Sequence, residues 1–179
     1  MSHRPAHQDE LNIPFHVVLV HPQIPPNTGN VGRLCVGTGC HLHLIEPLGF
    51  STDEAAVRRA GLDYWPHLGM SSHKSWLDLI AQPTWDEERA WFFSTRATKV
   101  FPKEKVQAGD WLIFGREADG LPEDIRTRYD RRLVHLPMFG PVRSMNLSNA
   151  VAVAVYQGLE TLAPDAFSVS PHASEECDQ

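Results

Sequence analysis

Four stretches of the chain are apolar almost without a break: 15–21 (FHVVLVH), 90–95 (AWFFST), 110–115 (DWLIFG) and 132–138 (RLVHLPM). They are short, rich in β-branched or aromatic residues, and several are bounded by proline or glycine, which is the pattern of buried strands. A strand with one wet face alternates polar and apolar residues. These do not, so each must be covered on both sides. A fifth run, 41–47 (HLHLIEP), looks like a further strand. Between them lie stretches of helical character: 28–38 closed by Gly39, 52–61 with Thr52 or Asp53 as cap, a segment around residue 78, and 146–163. Strands alternating with helices predict an α/β fold, a mostly parallel sheet with helices on both faces.

The chain has 179 residues, enough for one domain with a real core. The folded unit is expected over 14–163, flanked by a flexible N-terminal extension (1–13) and a flexible acidic C-terminal tail (164–179). No apolar run approaches the roughly 20 residues needed to cross a bilayer, and the first residues carry no signal-peptide pattern, so a cytoplasmic protein without a membrane partner is expected. Cys35, Cys40 and Cys177 match neither a disulfide framework nor a CxxC pair and read as free thiols. The net charge of −6 is uneven: the last sixteen residues hold Asp165, Glu175, Glu176 and Asp178 and no lysine or arginine. The rest is near neutral and contains a basic cluster, Arg126, Arg128, Arg131 and Arg132. A local basic surface can recruit a polyanion whatever the total charge.

In open α/β sheets ligands sit beyond the carboxyl ends of the strands. That directs attention to the loops 22–33 (PQIPPNTGNVGR), 94–99 (STRATK), 115–122 (GREADGLP) and 139–149 (FGPVRSMNLSN). In the first, Asn27 reads as a helix cap with Arg33 on the helix behind it, either a functional pair or a capped helix with a surface arginine. In the third, Gly115 would allow a close backbone approach. Glu117 is the carboxylate behind that turn, functional or simply solvated. In the fourth, Arg143, Ser144, Asn146, Ser148 and Asn149 crowd the mouth of an apolar helix that needs only one cap. The remainder suit a bound anion or carboxylate, or stand in an exposed loop.

His41 and His43 share one face of a strand, but no further ligand stands at a recognisable spacing, so no metal is expected. Neither a GxGxxG nor a GxxxxGK[ST] loop is present, and a GxSxG elbow is missing too. The residues alone predict a small-molecule pocket built from backbone, amides and an Arg/Glu pair.

Taken together, 24–35 (IPPNTGNVGRLC), 114–122 (FGREADGLP) and 137–156 (PMFGPVRSMNLSNAVAVAVY) resemble, in order and spacing, the three motifs of the SPOUT superfamily of RNA methyltransferases. With 42–50 (LHLIEPLGF) and 58–65 (RRAGLDYW), the pattern is similar to the tRNA wobble-nucleotide (cytidine/uridine) 2′-O-methyltransferases and spans roughly 15–162. The resemblance implies a C-terminal trefoil knot, S-adenosyl-L-methionine as cofactor (S-adenosyl-L-homocysteine as product), a homodimer, and tRNA rather than DNA as partner. It places catalytic positions on Asn27, Arg33, Glu117, Ser144 and Asn146. Cofactor contacts fall on Phe93, Ser94, Gly115, Leu136, Met138, Ser144 and Asn149. The same chemistry on another tRNA or rRNA nucleotide, or a noncatalytic RNA-binding module, are the alternatives. The family often has proline at the position of Arg116 and a basic or polar residue near Asp119, and glutamate is common where Gln157 stands.

Overall fold

The computed structural model describes residues 13–50 and 64–168. Six parallel strands form one sheet, β1 (Phe15–Val20), β2 (His41–Ile45), β3 (Met70–His73), β4 (Ala90–Phe93), β5 (Asp110–Phe114) and β6 (Leu133–Val134), in the order β3-β2-β1-β5-β4-β6. The helices are α1 (Pro25–Thr38), α2 (Trp76–Ile80), α3 (Glu123–Arg128) and α4 (Leu147–Leu162).

Both faces of the sheet are covered, as the unbroken apolar strands require. One face (Phe15, Val17, Leu19, Leu42, Leu44, Leu112, Phe114) packs against Val31 and Cys35 of α1 and Val151, Ala154 and Val155 of α4. The other (Val18, Val20, Ile45, Phe92, Trp111, Ile113) packs against Leu79 of α2, Ile125 of α3 and Tyr129. Helix α4 can lie this close because of Gly158: a Cβ there would stand 2.5 Å from the Phe15 ring. Cys35 and Cys40 are buried free thiols, and burial pushes the Cys40 thiol up to about 11, which makes it a packing residue rather than a nucleophile.

The structure departs from the sequence reading at several points. Strand β3 is not announced by its residues: Met-Ser-Ser-His carries little apolar signal because it is a sheet edge. The run 132–138 pairs only at Leu133–Val134, with an isolated bridge from Val100 to His135 beyond it. Pro164–Phe167, in the stretch read as tail, forms a 3-10 turn whose Phe167 ring meets Tyr156 edge-on. The helix expected over 52–61 and Cys177 lie outside the described residues. No helix among the described residues is long and apolar enough to cross a membrane.

His41 and His43 do share a face, and the sheet adds His16 from β1 and His73 from β3. His16 Nδ1 stands 3.0 Å from His43 Nε2, and His43 Nδ1 stands 3.0 Å from His73 Nε2. Trp111 stacks on His16 at 4.1 Å. Among the described residues no group of three or more His, Cys, Asp or Glu is placed to hold a metal ion; these rings are partners of one another. Burial, then the neighbouring His41, lowers His16 to about 4; burial, then His41, His16 and His73, lowers His43 to about 2. The folded protein therefore keeps both rings neutral while the unfolded chain takes up protons below the ordinary value of 6.5. Stability should be complete above that pH and fall as the medium is acidified through it. Urea unfolding above pH 6.5 and near pH 5 should give a lower midpoint in acid, and His43→Leu should shrink the difference. An unchanged midpoint would contradict the assignment.

Candidate active site

The loops after β1, β5 and β6 meet at one end of the sheet. Strand β1 ends at His21, whose left-handed φ of 54° turns the chain sharply into Pro22. Pro25 and Pro26 then open α1, their fixed φ and missing N–H suiting the first helical turn. Asn27 is consequently not the cap. The helix starts before it, the cap position is Ile24 with no side-chain capping bond, and Asn27 stands buried inside the first turn.

A carboxylate from another loop supplies what the helix start lacks. Glu117 Oε2 accepts the Gln23 N–H (3.0 Å), and Oε1 accepts the Ile24 N–H (3.1 Å) and Asn27 Nδ2 (3.0 Å). An anion at a helix N-terminus is favoured by the dipole and by the unpaired N–H groups. Asn27 Oδ1 in turn accepts Asn146 Nδ2 at 2.9 Å. Asn146 Oδ1 accepts both the Ser148 N–H (2.9 Å) and Ser148 Oγ (2.8 Å), which makes Asn146 the cap of α4. The direction of the whole chain is set by its origin. An ionised carboxylate can only accept, so each amide must present its NH₂ toward Glu117 and its oxygen away from it.

Burial raises the Glu117 carboxyl, but the hydrogen bonds from Asn27, Gln23 and Ile24 outweigh it and hold the group below the ordinary carboxylate range. Glu117 is thus a poor proton acceptor near neutrality and a good structural anion.

Gly115 has a different reason from the expected one. A Cβ there would stand 2.0 Å from the Gly120 carbonyl carbon and 2.1 Å from the Leu121 nitrogen, so the close approach is made by the chain's own backbone. Paired bonds, Arg116 N–H to Gly120 O (3.0 Å) and Gly120 N–H to Arg116 O (2.9 Å), close this turn and fix Glu117 at its tip. The two departures from the family pattern in this turn answer each other, since Arg116 Nη2 pairs with Asp119 Oδ2 at 2.5 Å.

Arg33 is not joined to the Glu117–Asn27–Asn146 chain by any of these bonds. It lies exposed further along α1, its guanidinium 4.9 Å from the centroid of the Tyr64 ring. The Tyr64 hydroxyl donates to Gly29 O at 2.5 Å, tying that ring back to α1. Ser144 and Asn149 are exposed on either side of the α4 cap. Phe93 is buried against Phe114 at the end of β4, and Ser94 follows with its N–H on Val134 O at 2.9 Å. Leu136 packs on the core at its border, while Met138 is partly exposed. The expected site residues therefore fall into an amide–carboxylate chain, an arginine on an aromatic ring, and a mixed lining at the ends of β4, β5 and β6. Sequence reasoning does not find the roles of Ser148 and Tyr64. Ser148 is one of several polar residues in its cluster with nothing to single it out, and nothing local marks Tyr64 as a partner of Arg33.

The family model described as the SpoU rRNA Methylase family matches residues 14–156. The chain is 51% identical over 144 residues to a tRNA (cytidine(34)-2'-O)-methyltransferase of Burkholderia cenocepacia, covering 80% of this chain and 92% of the relative. It is 46% identical over 150 residues to the protein of the same name from Saccharophagus degradans, covering 83% and 96%. A solved structure concerning 2-OH methylation of C/U34 on tRNA superposes with a TM-score of 0.75 at 42% identity, covering 84% of this chain and 97% of that one. With the family model matched over residues 14–156 and these relatives matched along nearly their whole length, the chain belongs to the SpoU rRNA Methylase family.

Proposed function

We propose that the protein transfers a methyl group from S-adenosyl-L-methionine to the ribose 2′-oxygen of the wobble nucleotide, cytidine or uridine, of tRNA. The observation that carries this reading is the identity of about half of all aligned positions to tRNA (cytidine(34)-2'-O)-methyltransferases, sustained over 92% of the relative's length.

The lining at the strand ends fits the cofactor. Leu136 and Met138 offer apolar surface for an adenine ring. His135 Nδ1, next to Leu136 in sequence, is buried with no hydrogen-bond partner among the described residues, an orphaned polar atom that a bound ligand would satisfy. Phe93, Ser94, Gly115, Ser144 and Asn149 complete the proposed cofactor shell. When bound, this cofactor supplies an electrophilic methyl group.

Methyl transfer to the 2′-oxygen would leave the carbon–sulfur electrons on sulfur and release the hydroxyl proton to water. Glu117, its lone pairs engaged, serves as a positioning residue: through Asn27 and Asn146 it holds the loops after β1 and β6 in register. A guanidinium offers five N–H donors and no acceptor, so Arg33 acts by orienting the hydroxyl and stabilising developing negative charge rather than by removing the proton. Ser144, exposed beside the cap, is the proposed hydrogen-bond partner of the reacting nucleotide. Much of the acceleration then comes from orientation, which can supply about 7–11 kcal/mol.

The assembly is proposed to be a homodimer, supported by Val153 and Tyr156, exposed three residues apart on one face of α4. A rRNA substrate is the second reading, favoured by the description of the family model. Incubation with labelled S-adenosyl-L-methionine and, separately, unmodified tRNA and ribosomal RNA separates them. Label in 2′-O-methyl nucleosides of tRNA is expected; label only in ribosomal RNA would replace the proposed substrate.

The basic cluster divides. Arg132 is committed to Glu88, bonding its backbone oxygen at 2.5 Å and pairing with its carboxylate. Arg126 and Arg128 close α3 and Arg131 follows, each at least partly exposed. Replacing these three by glutamine is expected to weaken tRNA binding and to flatten its salt dependence, by up to about 0.9 for each phosphate no longer neutralised. Unchanged affinity and slope would remove the cluster from the RNA path.

A further inference from the structure

We infer that Phe139 is a stacking platform for an unpaired base of the RNA substrate, beside the nucleotide that is methylated. The inference rests on the proposed RNA-methylating function and adds a recognition element to it. Phe139 is 98% exposed, well beyond the 66% of Leu77, the next of the exposed large apolar side chains. Single apolar residues on a surface are ordinary. Here, however, Met138 (36%) and Val142 (59%) accompany Phe139 within one short loop. The other aromatic residues among these exposed side chains, Tyr156 and Phe167, meet each other edge-on. Phe139 has no such ring neighbour among the described residues. The space beside it is open, since a Cβ on Gly140 would meet nothing within 4 Å.

The place of this ring matters as much as its exposure. Its loop ends at Asn146, the cap of α4, which is bonded to Asn27 and through it to Glu117. The platform is therefore carried by the same segment as the candidate active site. Pro141 restricts the backbone just behind the ring, and Arg143, exposed in the same loop, adds a cation. An aromatic face with a nearby guanidinium is how proteins hold unstacked bases of single-stranded RNA. Unpaired bases of a loop can splay out of their stack, and an aromatic surface that receives one offsets the stacking it loses. A second copy of this chain is the competing occupant, but the patch is a loop tip with one ring rather than an extended apolar face.

The test uses the full chain, purified unmodified tRNA, and an anticodon stem-loop RNA as probe. Phe139→Ala and Phe139→Leu are expected to weaken tRNA affinity and raise KM for tRNA by roughly tenfold. The affinity for S-adenosyl-L-methionine and the sedimentation behaviour should stay unchanged. Phe139→Trp should retain affinity and show fluorescence quenching by the stem-loop beyond that of the chain's five native tryptophans. Unchanged tRNA affinity in Phe139→Ala, or full rescue by leucine, would overturn the stacking role. Altered sedimentation in Phe139→Ala would assign the patch to a second copy instead. If the unsubstituted protein neither binds nor methylates tRNA, the underlying functional reading fails along with it; if it does both and Phe139→Ala matches it, only the inference fails.

Discussion

Replacing Gly115 by alanine is expected to destabilise the protein by about 3 kcal/mol, at the upper end of ordinary overpacking. For a chain of this size that corresponds to a fall in Tm of roughly 6–12 °C. The cause is specific. The added carbon would overlap the Gly120 carbonyl and the Leu121 nitrogen, all backbone atoms that no rotamer change can move aside. The turn must open, the two Arg116–Gly120 bonds must lengthen, and Glu117 must leave the start of α1. Gly120→Ala is the internal comparison. Its Cβ would meet nothing within 4 Å, and only the left-handed φ of 76° opposes it, so a loss of about 1–2 kcal/mol is expected. Thermal and urea unfolding of the two variants read the difference directly. Equal losses would mean that the turn yields more readily than its geometry indicates.

Arg33→Ala is expected to lower kcat by about 10²–10³-fold, the usual consequence of removing one donor aimed at developing negative charge. Stability should change by about 1 kcal/mol at most, the worth of an exposed cation–π contact such as the one with Tyr64. Arg33→Lys tests the proposed role more finely. Lysine keeps the charge but lacks the planar fork, and it cannot lie on the Tyr64 ring as a guanidinium does. Most of the activity should still be lost. Near-wild-type kcat in the lysine variant would show that charge alone suffices and that guanidinium geometry plays no part.

How far the chain can be read in advance follows from which interactions are local. The buried strands and the parallel sheet are legible because apolar runs without alternation leave no other cover than helices on both faces. That one residue of the polar cluster caps α4 is legible because a capping side chain acts on its own next turn; that it is Asn146, through Ser148, only the structure shows. Asn27 misleads for the same reason. An asparagine before a helical stretch reads as a cap, yet two prolines start the helix earlier and free its amide for Glu117, ninety residues away in sequence. Gly115 is legible as a position of close approach, but the approaching group is Gly120, a partner that only the closed turn reveals. Edge strand β3 and the histidine row are invisible, the first for want of apolar residues and the second because His16, His43 and His73 meet only when three strands align. The ion pair of Arg116 with Asp119 turns two apparent departures from a pattern into one compensated change.

Locating the transferred methyl group tests most directly whether the wobble ribose of tRNA is the acceptor. Unmodified tRNA labelled by the protein should be digested with nucleases and the methyl group located by mass spectrometry, with the Arg33→Ala protein run in parallel. A single 2′-O-methyl group on the wobble cytidine or uridine, absent with the variant, is expected. A methyl group on a base, on a different tRNA nucleotide, or one that persists without Arg33 would contradict it.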